Sequence, residues 1–96
     1  MNRRSRATRI DAALRAAFAP TMLHVTDDSA KHAGHAGARP GGETHYSVLL
    51  VSPVFEGLSR VARHRAVNAA VATEFEIGLH ALALVLRTPA EQAKHI

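Results

Sequence analysis

A twelve-residue segment, Lys31–Gly42, limits the folds that are open to this chain. It contains four glycines, one proline, three alanines, two histidines, a lysine and an arginine, and it has no bulky apolar side chain. Such a segment cannot contribute to a core, and its glycines make the ordering of its backbone costly, so we expect it to be mobile unless something binds it. The core must therefore come from the residues on either side. A loop of this length in a compact domain is often functional.

Alternating apolar residues predict a strand on each side of this segment. The predicted strands are Met22–Asp27 and Glu43–Ser52, and each has apolar residues at every second position on one face. Because one loop joins them, we expect an antiparallel hairpin. A third alternating run, Leu79–Arg87, places leucines on one face and mainly small residues on the other. That pattern indicates a sheet with helices against one side.

Helical periodicity predicts a helix before the hairpin and helices after it. Ile10, Leu14 and Phe18 recur every four residues, in a helix that we expect to begin at Thr8 and to end before Pro20.

A second apolar stripe lies between the second and third strands. Val67, Val71 and Phe75 recur at the same four-residue spacing, whereas Val61 is out of phase with them. We therefore expect a short helix over Ser59–Arg63, a bend near residues 63–66, and a longer helix that ends at Phe75. Gly78 fits the position just after the end of that helix.

The element order is then α-β-β-α-α-β, with a short terminal helix that the capping-box sequence Thr88–Glu91 predicts. This order predicts an α+β two-layer sandwich with a three-stranded sheet on one side and helices on the other. Residues 1–7 are expected to form a basic, disordered lead-in. Residues 8–96 are expected to form one domain, because a chain of 96 residues has little room for a second.

Charge and cysteine content narrow the function classes. The net charge of +4 permits contact with nucleic acid, with an anionic surface or with an acidic protein. The chain has no cysteine, which excludes disulfides, thiol nucleophiles and metal sites built from its own thiolates. This absence favours an intracellular, cytoplasmic protein. No apolar run approaches the length of a membrane span, so no membrane association is expected.

Several histidines are candidate metal ligands, since imidazole is the usual nitrogen ligand for iron, copper and zinc. His32 and His35 lie in the glycine-rich segment, His45 follows it, and His80 lies at the start of the third predicted strand. The alternative for each is a hydrogen-bonded or surface histidine.

A basic cluster lies on the predicted helix after the hairpin, where Arg60, Arg63 and Arg65 flank His64. It is either a solvated helix face or a docking patch for phosphate or an acidic partner. The sequence contains no nucleophile elbow and no P-loop. We therefore predict that the protein is not an enzyme.

A series of short motifs runs in order along the chain. They are Val25–Ser29, His32–Gly37, Gly42–His45, Val51–Ser52, Phe55–Gly57, Arg63–Arg65, Val67–Asn68 and Gly78–Leu82. Together they resemble the BolA family, and the resemblance extends from about Ile10 to Glu91. Tyr46 stands where phenylalanine is common in that family, and Gln92 where tryptophan is common.

This resemblance implies a class II KH-like fold and a partnership with a monothiol glutaredoxin. In that partnership a [2Fe–2S] cluster bridges the two proteins, the glutaredoxin and glutathione supply thiolates, and the BolA-like chain supplies histidine. The family's C-terminal ligand corresponds to His80. The other ligand comes from the loop between the first two strands. Because this chain lacks cysteine, it matches the subgroup with a loop histidine, which is His35 or, in its place, His32.

The resemblance also implies a second role, proposed for bacterial members of the family, in DNA-binding regulation of stress responses and cell shape. The candidate contacts for DNA are Arg60, Arg63, His64 and Arg65, together with the basic N-terminus. The sequence leaves open a homodimer of the cluster-free chain.

Overall fold

The computed structural model describes residues 5–28 and 44–95, so the segment Lys31–Gly42 and the first four residues lie outside the described part. The element order confirms the predicted α+β architecture with a short terminal helix. The elements are α1 (Arg6–Phe18), β1 (Met22–Asp27), β2 (His45–Val51), a one-turn 3₁₀ helix (Pro53–Phe55), α2 (Arg60–Ala70), α3 (Ala72–Glu76), β3 (Ala81–Arg87) and α4 (Pro89–Ala93).

The three strands form one mixed sheet with β2 in the centre. β1 runs antiparallel to β2, with Leu23 opposite Leu50, which confirms the predicted hairpin. β3 runs parallel to β2, with Leu82 opposite Tyr46. A parallel neighbour requires a crossover connection, and α2 and α3 form it. Within the described residues, β1 and β3 are therefore the outer strands of the sheet.

The core lies between the helices and one face of the sheet. On β3, Ala81, Ala83 and Val85 point to the other face and are exposed, so that face is open and the molecule has two layers. The buried apolar side chains of the core are Ile10, Leu14, Phe18, Tyr46, Val48, Leu50, Phe55, Val67, Val71, Leu79 and Leu86.

α1 begins at Arg6, two residues before the predicted start at Thr8. Ser5 is its N-cap, and the Ser5 hydroxyl accepts a hydrogen bond from the Thr8 N–H at 3.2 Å. The predicted disordered lead-in over residues 1–7 is therefore wrong for its last three residues. The reason is an ion pair distant in sequence, because the buried Arg6 guanidinium donates to Glu74 at 2.9 Å.

The break between the two middle helices lies at Val71, not near Arg63–Ala66 as predicted. α2 continues through Arg63 because this side chain belongs to the buried face of the helix. Its guanidinium carbon lies 5.8 Å from the centre of the Phe55 ring, and its Nη1 donates to Glu91 at 2.7 Å. A long apolar stem and a paired charged group let arginine occupy a position that otherwise takes an apolar residue.

Two predicted helix-end signals are confirmed. Gly78 follows α3 with a φ of 124°, in the left-handed region that favours glycine. Before α4, the Thr88 hydroxyl accepts from the Glu91 N–H at 3.1 Å, and the Glu91 carboxylate accepts from the Thr88 N–H at 2.7 Å. This is the predicted capping box, and it places the Glu91 carboxylate where the Arg63 guanidinium donates to it.

Candidate functional site

His80 is exposed and immediately precedes β3. Its backbone N–H donates to the Thr44 carbonyl at 2.8 Å, and the Ala81 N–H donates to the same oxygen at 3.1 Å. These two bonds join the start of β3 to the residue before β2. The imidazole predicted as a ligand is thus attached to backbone that the sheet holds in place, while its ring is open to solvent.

His45, the first residue of β2, lies beside His80. The two ring centroids are 5.9 Å apart, and the ring planes are inclined by 46°. His45 Nδ1 lies 2.8 Å from the hydroxyl oxygen of Thr44, a residue that is only 1% exposed. In the sequence, His45 stood out only as a neighbour of the glycine-rich segment. The parallel pairing of β2 with β3 is what brings it to His80.

His32 and His35, the predicted loop ligands, lie outside the described residues. The chain runs from that segment through Glu43 to Thr44, whose carbonyl accepts the N–H of His80. The chain therefore enters β2 beside the His45–His80 pair. Among residues 5–28 and 44–95, no group of three or more side chains is placed to hold a metal ion. The described part of the chain thus does not form a complete metal site by itself.

The four residues of the predicted docking patch differ in their surroundings. Arg60 and Arg65 are exposed, and His64 is half-buried with its Nδ1 2.9 Å from the Arg60 carbonyl oxygen. The Arg63 side chain is only 12% exposed, and its guanidinium is hydrogen-bonded within the protein. The exposed part of the patch consists of Arg60 and Arg65, with His64 between them. The Arg63 guanidinium donates to both carboxylate oxygens of Glu91 and to the backbone carbonyls of Leu58 and Leu86.

The contact between Arg63 and Glu91 leads us to a prediction about how Glu91 titrates and how the stability of the fold depends on pH. Hydrogen bonds from the Arg63 guanidinium, and then from the Thr88 N–H, lower the pKa of Glu91 from 4.5 to about 2. Because folding lowers its pKa, the ionised Glu91 carboxylate stabilises the folded state. This stabilisation is complete above pH 4.5 and is lost as the pH falls toward 2. We expect a carboxyl NMR titration to find the Glu91 midpoint near 2 and Arg63→Gln to raise it. Arg65→Gln, two residues further along the helix, should leave it unchanged. A wild-type midpoint near 4.5 would contradict the contact.

The described elements define a class of protein. A helix and an antiparallel hairpin, followed by two crossover helices and a strand parallel to the hairpin's second strand, form a class II KH-like α+β domain. The family model described as BolA-like protein matches residues 14–91. The chain belongs to the BolA family, as the motifs in its sequence indicated.

Two relatives and one solved structure show how closely the chain follows this family. It is 44% identical over 89 residues to the chloroplastic protein BOLA1 of Arabidopsis thaliana, a match that covers 91% of this chain and 56% of the relative. It is 44% identical over 91 residues to the chloroplastic/mitochondrial SufE-like protein 1 of the same plant, which covers 91% of this chain and 24% of the relative. The structure of BolA1 from Arabidopsis thaliana superimposes with a TM-score of 0.82 at 41% identity, covering 94% of this chain and 98% of that one.

The chain spans about half of the length of BOLA1 and about a quarter of the SufE-like protein. The names of these two relatives place them in chloroplasts or mitochondria. For this chain, a cytoplasmic location stays a prediction from its sequence. Among the described residues, no helix combines the length and the apolar character that crossing a bilayer requires.

Proposed function

We propose that this BolA family chain is a non-enzymatic adaptor that pairs with a monothiol glutaredoxin and shares a [2Fe–2S] cluster with it, in iron–sulfur cluster trafficking or iron sensing. The observation that carries the proposal is the position of His80. An exposed imidazole stands on backbone held by two hydrogen bonds, next to a second imidazole, where the glycine-rich segment joins the sheet. Membership of the BolA family supports the choice of partner.

The side chains that this chain can offer as iron ligands suit part of the coordination of such a cluster. Iron–sulfur clusters are held by thiolates, and in some centres imidazoles replace two of them and raise the reduction potential. The sequence has no cysteine, so histidine is the donor type it can offer in place of thiolate. Thiolates must then come from the glutaredoxin and from glutathione. This division of ligands explains why the chain would need a partner to complete the site.

Thr44 positions the two imidazoles. Its carbonyl accepts the His80 N–H, and its side-chain oxygen contacts His45 Nδ1. Because Thr44 is buried at the junction of the sheet with the glycine-rich segment, both histidines are tied to the same rigid point. A ligand on rigid backbone needs less ordering when a partner binds, which favours the assembled complex.

The test is assembly with a purified monothiol glutaredoxin, ferrous iron, sulfide and glutathione, followed by visible circular dichroism. We expect this chain to change the spectrum given by the glutaredoxin alone. His80→Ala should abolish that change, and the double variant His32→Ala/His35→Ala should reduce it. His24→Ala removes an exposed histidine of β1 and is the matched control, which should behave as the wild type does.

Each outcome addresses a separate part of the proposal. If the wild-type chain leaves the glutaredoxin spectrum unchanged, the partnership is wrong. If the spectrum changes and both His80→Ala and the double variant preserve that change, the partnership stands and the ligand assignment is wrong.

A further inference from the structure

Along β3, the backbone N–H and C=O groups of successive residues point alternately toward β2 and toward the open edge of the sheet. The Ala81 N–H donates to the carbonyl before β2 at 3.1 Å, and the Arg87 carbonyl accepts from the N–H after β2 at 3.0 Å. The odd-numbered residues of β3 therefore direct their N–H and C=O groups toward β2. The even-numbered residues direct theirs to the outer edge. These are Leu82, Leu84 and Leu86.

A groove of about 840 Å³ follows this edge at the end of β3 that is farther from His80. It is lined by Leu84 and Leu86, whose side chains face the helices, and by Val85, which faces the open side of the sheet. A space that touches all three must pass around the outer edge of the strand. The Arg63 guanidinium already donates to the Leu86 carbonyl at 3.3 Å, which shows that a donor can reach this edge.

The sides of the groove are cationic. The single acidic residue lining it, Glu91, is already paired with Arg63. A second copy of this chain would bring the same positive charges against the groove, whereas a carboxylate-rich segment would complement them. The other basic or titratable side chains that line it are Arg60, His64, Arg87 and His95.

We propose that this groove docks an extended, acidic segment of a partner protein, which adds to β3 as a fourth strand. Main-chain hydrogen bonds to Leu84 and Leu86 would provide affinity, and alternate acidic side chains would reach Arg60 and Arg87. Proteins usually protect an apolar outer strand with charged residues along it, and β3 has none before Arg87. The groove does not include His80, so this proposal is independent of the cluster adaptor role.

The probe is a fluorescein-labelled hexapeptide of alternating glutamate and valine with blocked ends, followed by fluorescence anisotropy and amide hydrogen exchange. We expect saturable binding that slows exchange at the Leu84 and Leu86 N–H groups. Exchange at Ala83 and Val85, which already face β2, should change little. Replacing the glutamates of the probe with lysines, or methylating alternate backbone nitrogens, should weaken binding by about tenfold or more, which is about 1.4 kcal/mol.

Two variants with the same charge change separate the groove from general electrostatic attraction. Arg60→Glu should weaken binding about tenfold. The fold should tolerate it, because residue 60 is the first of α2 and an acidic side chain suits a helix N-terminus. Arg15→Glu changes an exposed residue of α1 outside the groove and should bind the probe as the wild type does.

Four results would overturn the proposal. They are equal loss of binding in both variants, unchanged exchange at Leu84 and Leu86, failure of the peptide where a single-stranded oligonucleotide of similar charge binds, and self-association of the free chain that is lost in Arg60→Glu.

Discussion

Replacing Glu74 with alanine should lower the free energy of unfolding by about 3 kcal/mol. Glu74 is only 7% exposed, and its two carboxylate oxygens accept hydrogen bonds from Arg6 and from Arg9, each at 2.9 Å. These bonds join α3 to α1. The variant would keep both guanidinium groups close to the core without that carboxylate, which costs more than the intact ion pair contributes. Urea denaturation at neutral pH measures the difference.

Glu76→Ala is the matched control, because Glu76 is exposed on the same helix and its loss should cost less than about 0.5 kcal/mol. The double variant Arg6→Met/Glu74→Leu should lose less stability than Arg6→Met and Glu74→Leu lose when their separate losses are added. It removes the two more buried charges together and leaves only Arg9, which is more exposed. Equal losses for Glu74→Ala and Glu76→Ala would show that the ion pairs contribute nothing.

Acid should produce part of the same effect. Hydrogen bonds from Arg9, and then from Arg6, hold the pKa of Glu74 below its ordinary value of 4.5 despite burial. A carboxyl group with a lowered pKa stabilises the fold above pH 4.5, and that stabilisation is lost as the pH falls through the folded-state pKa. Glu74→Ala should therefore reduce the pH dependence of stability below pH 4.5, and the part that Glu91 contributes should remain.

Phe55→Ala should destabilise the protein by about 3 to 5 kcal/mol, the range for removing a fully buried aromatic ring. Phe55 lies in the 3₁₀ helix after β2 and is fully buried. Its ring centroid is 5.4 Å from that of Phe18, and the Arg63 guanidinium carbon lies 5.8 Å from it. Removal of the Phe55 ring would leave a cavity beneath Arg63. The lost stability should therefore include part of the contact between the Arg63 guanidinium and that ring. Thermal and urea denaturation both measure the change.

Phe75→Ala is the control for Phe55→Ala, because Phe75 carries the same ring but is 39% exposed. It should cost about 1 kcal/mol. By spacing in the sequence, Phe75 belongs to the same apolar stripe as Val67 and Val71. Those two residues are buried and Phe75 is not, so a loss for Phe75→Ala as large as that for Phe55→Ala would contradict the packing described here.

Local patterns identified most of the fold because they act over a few residues. Strand alternation identified β1 and β3 with little error, and the capping box identified α4. The start of α1 and the break at Val71 were missed because each depends on a distant partner. Arg6 joins the helix through Glu74, and Arg63 holds its position on α2 through Glu91 and Phe55. A sequence shows that these charges exist but not which ones meet.

In the candidate site, too, some features were predicted from the sequence and others became evident only in the structure. Motif resemblance made His80 a candidate ligand, and position in the glycine-rich segment made His32 and His35 candidates; all three stay predictions. The neighbour of His80, His45, became evident only when the parallel pairing of β2 and β3 placed the two rings 5.9 Å apart. The groove along β3 could not be predicted from the sequence either, because the order of the strands in the sheet decides which of them lie at an edge.

The sequence by itself determined the element types, the hairpin, the family and the kinds of donor atoms the chain can offer. Periodicity, cysteine content and motif order are properties of neighbouring residues, so they can be read without a structure. The tertiary structure decided which of these residues meet. A parallel strand pair, the buried contact of Glu74 with Arg6 and the partly exposed ion pair of Arg63 with Glu91 join residues far apart in the chain, and only packing around a common core brings them together.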